Sequence, residues 1–411
     1  MNTRKQALHA LIDIVEEGAY SNLRLQEIRA SGEDTAFICA LVYAALEHLF
    51  WTDYMLSFYC KRQKKTVRNI LRLAVTELFF MHTPDHAAVS EAVSLCRSER
   101  KAASASLVNA VLRSLLRDRD CLPALPEKPS ERLSVEYTVP EAFISEWLEM
   151  YGAETTERML HRTPPRAEMR AQWPYTTEEL LNVFQRAQRG ETEKECLLLP
   201  PGEITPEHPL LQTGKAVFQS EGAMAICRFA GVQPGEKVLD ACAAPGGKSA
   251  CLFSMTGGRI SLTCMELHPH RAALMEKNFQ KLGVQARLME ADAAAPQADF
   301  YGLFDTVLLD VPCSGLGLIQ TKPDVGVAKN EADFTKLVQT QAEILETCSR
   351  YVKPGGKLVY ATCTVSKREN GEQTAQFLQK HPEFSREEEQ QLLPNIHGSG
   401  GYYMARLRLG I

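Results

Sequence analysis

From about Gln219 onward the chain alternates short apolar runs with longer amphipathic segments. That texture is the signature of a parallel sheet flanked by helices, since strands buried on both faces read as continuous apolar runs and crossover helices show a 3.6-residue period. The predicted strands are 237–241, 259–266, 286–290, 306–310 and 357–362, with 402–409 as a last strand. Helices are predicted between them at 248–255, 269–282, 334–352 and 368–380. In such a sheet a ligand lies outside the carboxyl ends of the strands, near the switch in strand order. The residues that close each strand are therefore the first candidates for chemistry.

The rest of the chain has a different texture. Between residues 4 and 119 apolar side chains recur at helical spacing, as in Ile70, Leu71, Ala74, Leu78 and in Val108, Val111, Leu112, Leu115. This is an all-helical domain, assigned to residues 1–125. The Pro-punctuated stretch from Cys121 to Pro129 cannot continue a helix and reads as a linker. Residues 126–218 are assigned to a linker and a middle segment that mixes a helix near 140–151 with turn-rich pieces, and 219–411 to the α/β domain. At 411 residues a multidomain protein is expected.

Hydrophobic residues at 45% and charged ones at 24% fit a soluble globular protein. No run of about 18 apolar residues offers a membrane span. The opening residues lack the apolar core of a signal peptide, so a cytoplasmic address is expected. The twelve cysteines are scattered singly without a Cys-x-x-Cys pair; they are expected to be reduced, and no metal is expected. Nothing in the sequence demands more than a monomer.

Net charge is −5, so any nucleic-acid contact must be local. Residues 61–72 carry six basic side chains and no acidic one, and residues 1–120 carry 16 basic against 14 acidic. Lys61, Lys65, Arg68 and Arg72 are spaced to share one helical face and are candidate phosphate contacts; a solvated helix start is the alternative.

The first strand of the α/β domain runs into Asp240-Ala-Cys-Ala-Ala-Pro-Gly-Gly-Lys-Ser249. This small-residue loop lets a cofactor approach the backbone. It is not a P-loop, because the first glycine of that motif would fall on Cys242, and it contains no Gly-x-Gly-x-x-Gly. Plain punctuation by glycine is the alternative. Against that, Glu266 ends the second strand, where it can accept from ribose hydroxyls, and Asp292 follows the third, where it can accept from an adenine amino group. Together these features favour an adenosyl cofactor without a triphosphate, and S-adenosyl-L-methionine fits. The cofactor-binding candidates are Cys242, Ala243, Ala244, Pro245, Gly246, Gly247, Lys248, Glu266, Arg271, Asp292 and Asp310.

The fourth strand ends in Asp310-Val-Pro-Cys-Ser-Gly-Leu-Gly317 and the fifth in Tyr360-Ala-Thr-Cys-Thr364. One cysteine in an apolar strand is usually a small core residue. Two at neighbouring strand ends beside a cofactor loop point to chemistry. Carbon 5 of cytosine is a poor nucleophile, but thiolate addition at carbon 6 turns the ring into an enamine that carbon 5 can use. A base must later remove the carbon 5 hydrogen so that the thiolate can leave.

Asp310-Val-Pro-Cys313 with Ala361-Thr-Cys363 resembles the RNA 5-methylcytosine methyltransferase family, whose domain is a Rossmann-like class I methyltransferase fold. The resemblance implies that Cys363 attacks, Cys313 promotes breakdown of the adduct, Asp310 faces the ring and helps protonate or hold its nitrogen 3, and Lys248 lies near the reacting base. Arg68-Asn-Ile-Leu-Arg-Leu73 and Val108-Asn-Ala-Val-Leu-Arg113 resemble the NusB-like RNA-binding fold that precedes this domain in bacterial ribosomal RNA methyltransferases. The resemblance covers nearly the whole chain, makes the middle segment a small α+β, RNA-recognition-like subdomain, and implies small-subunit (16S) ribosomal RNA as partner. Departures lie away from the chemistry. Thr138-Val-Pro140 stands where the family often has Ser-His-Pro, Arg170-Ala-Gln172 stands for Arg-Val-Asn, and Gln320-Thr-Lys-Pro-Asp324 stands for Arg-Arg-x-Pro-Asp, with Lys322 the only cation. Transfer RNA as substrate, or an idle RNA-binding assembly factor, are the competing readings; intact Cys363, Cys313 and Asp310 speak against the second.

Overall fold

The computed structural model describes residues 3–30, 35–162, 166–327, 331–398 and 400–411. The chain forms two compact units, Met1–Leu160 with Thr321–Lys329, and His161–Gln320 with Asn330–Ile411.

The first unit is helical: α1 (Thr3–Glu17), α2 (Ser21–Ala30), α3 (Thr35–Glu47), α4 (Leu49–Tyr59), α5 (Lys65–Phe80), α6 (Asp85–Ser98), α7 (Ala105–Arg117), α8 (Pro129–Tyr137) and α9 (Glu141–Leu160). The apolar period read from the sequence is the packing period. Ile70, Leu71, Ala74 and Leu78 of α5 and Val108, Val111, Leu112 and Leu115 of α7 are all buried in one core with Leu8, Leu11, Ile38 and Leu41. Arg4 forks onto Glu77, with Nε 2.9 Å from Oε1 and Nη2 2.7 Å from Oε2, tying α1 to α5. The short segment from Thr321 is built into the same unit: the backbone N–H and Oγ of Ser21 donate to the buried carboxylate of Asp324 at 3.2 and 2.8 Å. Among the described residues no single helix is long and apolar enough to cross a membrane.

The second unit contains two sheets. The smaller has β1 (Ala167–Ala171), β2 (Gln188–Arg189), β3 (Leu197–Leu199) and β4 (Ala216–Phe218) in the antiparallel order β2-β3-β1-β4, with α10 (Thr177–Val183) and α11 (Pro209–Gln212). Thr176 and Glu179 close a capping box at the start of α10. The larger has β5 (Lys237–Asp240), β6 (Ser261–Glu266), β7 (Arg287–Glu290), β8 (Phe304–Asp310), β9 (Val352–Thr362), β10 (Phe384–Leu392) and β11 (Tyr402–Leu409) in the order β10-β11-β9-β8-β5-β6-β7. β5 to β9 run parallel, β11 pairs antiparallel with β9, and β10 pairs antiparallel with β11. Residues alternate between two cores: Val238, Leu308 and Val359 face one, and Leu239, Val307, Leu309 and Leu358 the other.

The helices of this sheet are α12 (Glu221–Ala230), α13 (Gly247–Met255), α14 (Pro269–Leu282), α15 (Glu331–Ser349) and α16 (Gly371–Lys380). Their boundaries carry ordinary stop signals, as in α14, which has Pro269 in its first turn and left-handed Gly283 after its last. β10 was absent from the sequence reading. Its Phe-Ser-Arg-Glu-Glu-Glu-Gln-Gln-Leu has exposed polar residues throughout its middle, and an edge strand needs only one partner. Ion pairs from Arg406 and Arg408 of β11 to Glu387 and Glu388 supply that pairing. The small-residue loop follows β5 and the first cysteine follows β8, where strand order reverses.

Candidate active site

The loop after β5 is fixed by backbone hydrogen bonds to the strands beside it. Ala241 N–H donates to Leu308 O at 3.0 Å, and Ala243 N–H to Met265 O at 2.9 Å. Gly246, at φ +94°, turns the chain into α13; a Cβ there would lie 2.5 Å from the Phe279 ring, so the position tolerates only glycine. Under the loop, buried Asp240 accepts from Ser249 Oγ at 2.6 Å. Burial pushes its carboxyl up to about 6, against the hydrogen bond from Ser249.

The loop fits an adenosyl group. Cys242, Ala243, Ala244, Pro245 and Gly247 keep its side chains small, and carboxylates close both flanking strands. Buried Glu266 accepts the His268 N–H at 2.9 Å through Oε1 and pairs there with Arg271 Nη1 at 3.4 Å, so a ligand hydroxyl could be accepted at Oε2. Arg271 also donates from Nη2 to Ala244 O at 2.7 Å, joining the carboxylate to the loop. Asp292 is exposed and accepts the Ala294 N–H at 2.8 Å through Oδ1.

The candidate catalytic groups cluster one strand over. Lys248, in the first turn of α13, places Nζ 2.6 Å from Asp310 Oδ2 at the end of β8. Burial alone would favour a neutral amine, but the adjacent carboxylate overrides it and holds the ammonium above the ordinary lysine range. Cys313 and Cys363 sit with their sulfurs 3.2 Å apart, and the Cys363 N–H donates to Cys313 Sγ at 3.4 Å. The hydrogen bond to Cys363, and then burial, push the Cys313 thiol well above its ordinary range, so Cys313 keeps its proton in the resting site.

Residues that the sequence reading did not single out hold this pair together. Fully buried Glu369 accepts from Ser314 N–H at 2.7 Å, Ser314 Oγ at 2.5 Å and Gln341 Nε2 at 2.9 Å. Gln341 Nε2 also donates to Pro312 O at 2.9 Å. Ser314 and Thr364, the neighbours of the two cysteines, share a hydrogen bond of 2.7 Å. The Cys313 loop is thereby clamped to the segment that follows Cys363. Gly317 completes the clamp, because a Cβ there would lie 2.0 Å from Gly401 O. The one sequence signal was Glu369-Asn370, two polar residues ahead of a helix and just past a strand-end cysteine. Twelve cysteines are free, and among the described residues no group of three His, Cys, Asp or Glu side chains is arranged to hold a metal ion.

The four basic candidates lie in the helical unit and do not form one exposed row. Lys61 is exposed in the loop before α5, and Lys65 pairs with Glu17. Arg68 donates from Nη2 to both oxygens of Glu16 at 2.7 and 2.8 Å. Arg72 is only 6% exposed and forks onto Asp53 at 2.7 and 2.5 Å. A helical face read from spacing alone does not reveal that acidic partners on α1 and α4 take up its inner cations.

Comparison with known proteins matches these parts. The profile of the NusB family covers residues 1–117, and that of the 16S rRNA methyltransferase RsmB/F family covers residues 230–408. Over 99% of its length the chain is 33% identical to the probable ribosomal RNA small subunit methyltransferase B of Bacillus subtilis, of which it covers 98%. It is 29% identical to ribosomal RNA small subunit methyltransferase B of Shewanella oneidensis, covering 99% of each. The crystal structure of PH0851 shares the fold at TM-score 0.83 and 22% identity, covering 98% of both chains. NSun6 from Pyrococcus horikoshii, solved with SFG, shares it over 64% of this chain and 97% of its own, at TM-score 0.57 and 17% identity. With a one-third-identical relative matched from end to end, the chain belongs to the 16S rRNA methyltransferase RsmB/F family.

Proposed function

We propose that this chain transfers a methyl group from S-adenosyl-L-methionine to carbon 5 of a cytosine in small-subunit ribosomal RNA, through a covalent bond between Cys363 and carbon 6. The observation that carries this reading is the pair of cysteine sulfurs 3.2 Å apart at the strand ends, beside the Lys248–Asp310 pair. The small-residue loop, Glu266, Arg271 and Asp292 hold the cofactor. When bound, it supplies an electrophilic methyl group on a sulfonium.

The residues divide the remaining work. The Cys363 thiolate adds to carbon 6 as nitrogen 3 takes up a proton from solvent, and the Asp310 carboxylate accepts the resulting N3–H, so that the ring accepts the electron pair; that proton returns to solvent on release. Carbon 5, now the end of an enamine, takes the methyl group. Lys248, held protonated by Asp310, serves as a donor and a positive charge beside the ring, not as the base. Cys313 is kept protonated chiefly by its hydrogen bond to Cys363. Once the Cys363 sulfur is bonded to carbon 6 it no longer holds that proton as a thiolate would, so Cys313 gives it up to solvent and, as a thiolate, acts as the base. The carbon 5 hydrogen then leaves as a proton, its electron pair restores the ring double bond, and the Cys363 thiolate is expelled.

Two substitutions test this. Cys313→Ala leaves attack intact and removes release, so an RNA–protein adduct should accumulate on denaturing gels when cofactor is present. Cys363→Ala should give neither adduct nor methylated product. The reverse pattern would overturn the assignment of the two cysteines, and methylation of RNA at a position other than cytosine carbon 5, read by bisulfite sequencing, would overturn the reaction.

A further inference from the structure

The inner cations of α5 frame a cavity of about 560 Å³ inside the helical unit, within the ~300–1,000 Å³ usual for ligand sites. Leu49, Phe50, Leu56 and Leu71 form its apolar walls. Its charged lining is Glu16, Asp53, Arg68 and Arg72, with exposed Lys61 and Arg62 beside them.

This lining is preorganised. Arg72 grips Asp53 through two hydrogen bonds and donates from Nη1 to Asn69 Oδ1 at 3.0 Å, while Glu16 receives Arg68. Two hydrogen-bonding capacities remain. The Asp53 side chain is still 38% exposed, so its carboxylate has lone pairs to offer. Arg68 Nε is buried and has no partner. That atom is shielded from the cavity, but the Arg68 side chain keeps 16% of its surface exposed, so its guanidinium, with five N–H groups in all, can still offer a donor to an acceptor there. Lys61 and Arg62 are exposed and form no ion pair among the described residues, which leaves both charges for an anion.

An apolar slot, a carboxylate that accepts, a guanidinium that donates and two free cations beside them match one nucleotide best. Guanine presents two adjacent N–H donors, at N1 and N2, for a carboxylate, with O6 as the neighbouring acceptor for a guanidinium. Adenine has one amino donor on that edge, and uracil one ring N–H between two acceptors. Bases splayed out of single-stranded RNA are read in this way, by apolar contact with the ring and hydrogen bonds to its edge.

We propose that this cavity receives a flipped-out guanine nucleotide of the RNA substrate, with its N1–H and N2–H on Asp53, O6 toward Arg68 and its phosphate at Lys61 and Arg62. The proposal rests on the RNA reading above and adds a base-specific contact within the helical unit.

Calorimetric titration of the full chain tests it, with S-adenosylhomocysteine saturating the catalytic domain. Guanosine 5′-monophosphate should bind at least tenfold more tightly than the adenosine or cytidine monophosphate, and guanosine should bind more weakly than its monophosphate. Ser57→Trp places a large ring at an exposed position of the cavity lining and should abolish this binding without lowering the melting temperature. Arg62→Glu should weaken the monophosphate and leave guanosine unchanged. A single-stranded RNA containing guanine should compete with the monophosphate. Equal binding of the guanosine and cytidine monophosphates, undiminished binding to Ser57→Trp, or failure of the RNA to compete would each overturn the proposal. Methyl transfer that persists without guanosine monophosphate binding defeats only this site; binding that persists in a chain unable to methylate RNA defeats only the catalytic reading.

Discussion

Glu369 offers a direct test of whether the clamp around Cys313 matters to turnover. Its buried carboxylate accepts three hydrogen bonds, two from Ser314 and one from Gln341. Glu369→Gln keeps the shape but turns one acceptor oxygen into a donor that faces another donor. One charge-assisted bond is lost while the Ser314 hydroxyl can turn to Thr364, a cost of about 1–2 kcal/mol. Glu369→Ala strands the Ser314 N–H and one N–H of the Gln341 amide in a buried site and opens a cavity, costing about 3–5 kcal/mol. At roughly 2–4 °C per kcal/mol for a unit of this size, the catalytic unit should melt about 2–8 °C lower in the Gln variant and about 6 °C or more lower in the Ala variant. The functional signature separates loop positioning from general weakening. Cys363 ends its own strand, so attack should survive, whereas a loosened Cys313 loop should slow release. Single-turnover methylation by Glu369→Gln should therefore stay near the parent rate while multiple turnover falls and adduct appears on denaturing gels. An unchanged melting temperature, or equal loss in both kinetic regimes, would refute the reasoning.

Three further outcomes follow. Asp292→Ala should weaken S-adenosylmethionine binding by calorimetry and leave RNA affinity nearly intact; equal loss of both would point to misfolding. Gly246→Ala forces a Cβ against Phe279 at a positive φ and should cost about 2 kcal/mol or more, seen as a lower melting temperature together with weaker cofactor binding. Although burial opposes it, His381 has a raised pKa because it bridges Glu346 at 2.7 Å and Glu383 at 2.8 Å. A raised folded-state pKa means that its contribution is complete below the ordinary histidine value of about 6.5 and fades as pH rises through the folded value. His381→Gln should thus destabilise the chain more at pH 5.5 than at pH 9 in parallel melts, and an equal or inverted difference would count against the bridge.

The groups proposed for the chemistry were legible in the sequence because of where strands end. Asp310, Cys313 and Cys363 close two predicted strands, and a parallel sheet delivers such ends to one edge. Glu369 and Gln341 were not legible, because each sits on a segment whose pattern says only loop or helix, and their meaning lies in a pairing across 28 residues of chain. β10 was missed for a related reason: its polar sequence becomes a strand through cross-strand ion pairs with β11, not through its own propensity. Arg72 shows the opposite failure. Its spacing was right for the helix and wrong for its surroundings, since Asp53 and Glu16 come from other helices.

The place of Asp324 in the helical unit bears on how the protein is made and dissected. A ribosome releases Ser21 some three hundred residues before its hydrogen-bond partner, so the amino-terminal unit leaves the tunnel missing one of its own pieces. Its folding can be finished only after most of the catalytic domain has been synthesised. A fragment cut at Leu160 lacks that piece for good, and its stability would understate what the unit has in the whole protein. Fusing residues 321–327 to such a fragment through a flexible linker would restore the missing contact, and is the natural design for studying the helical unit alone.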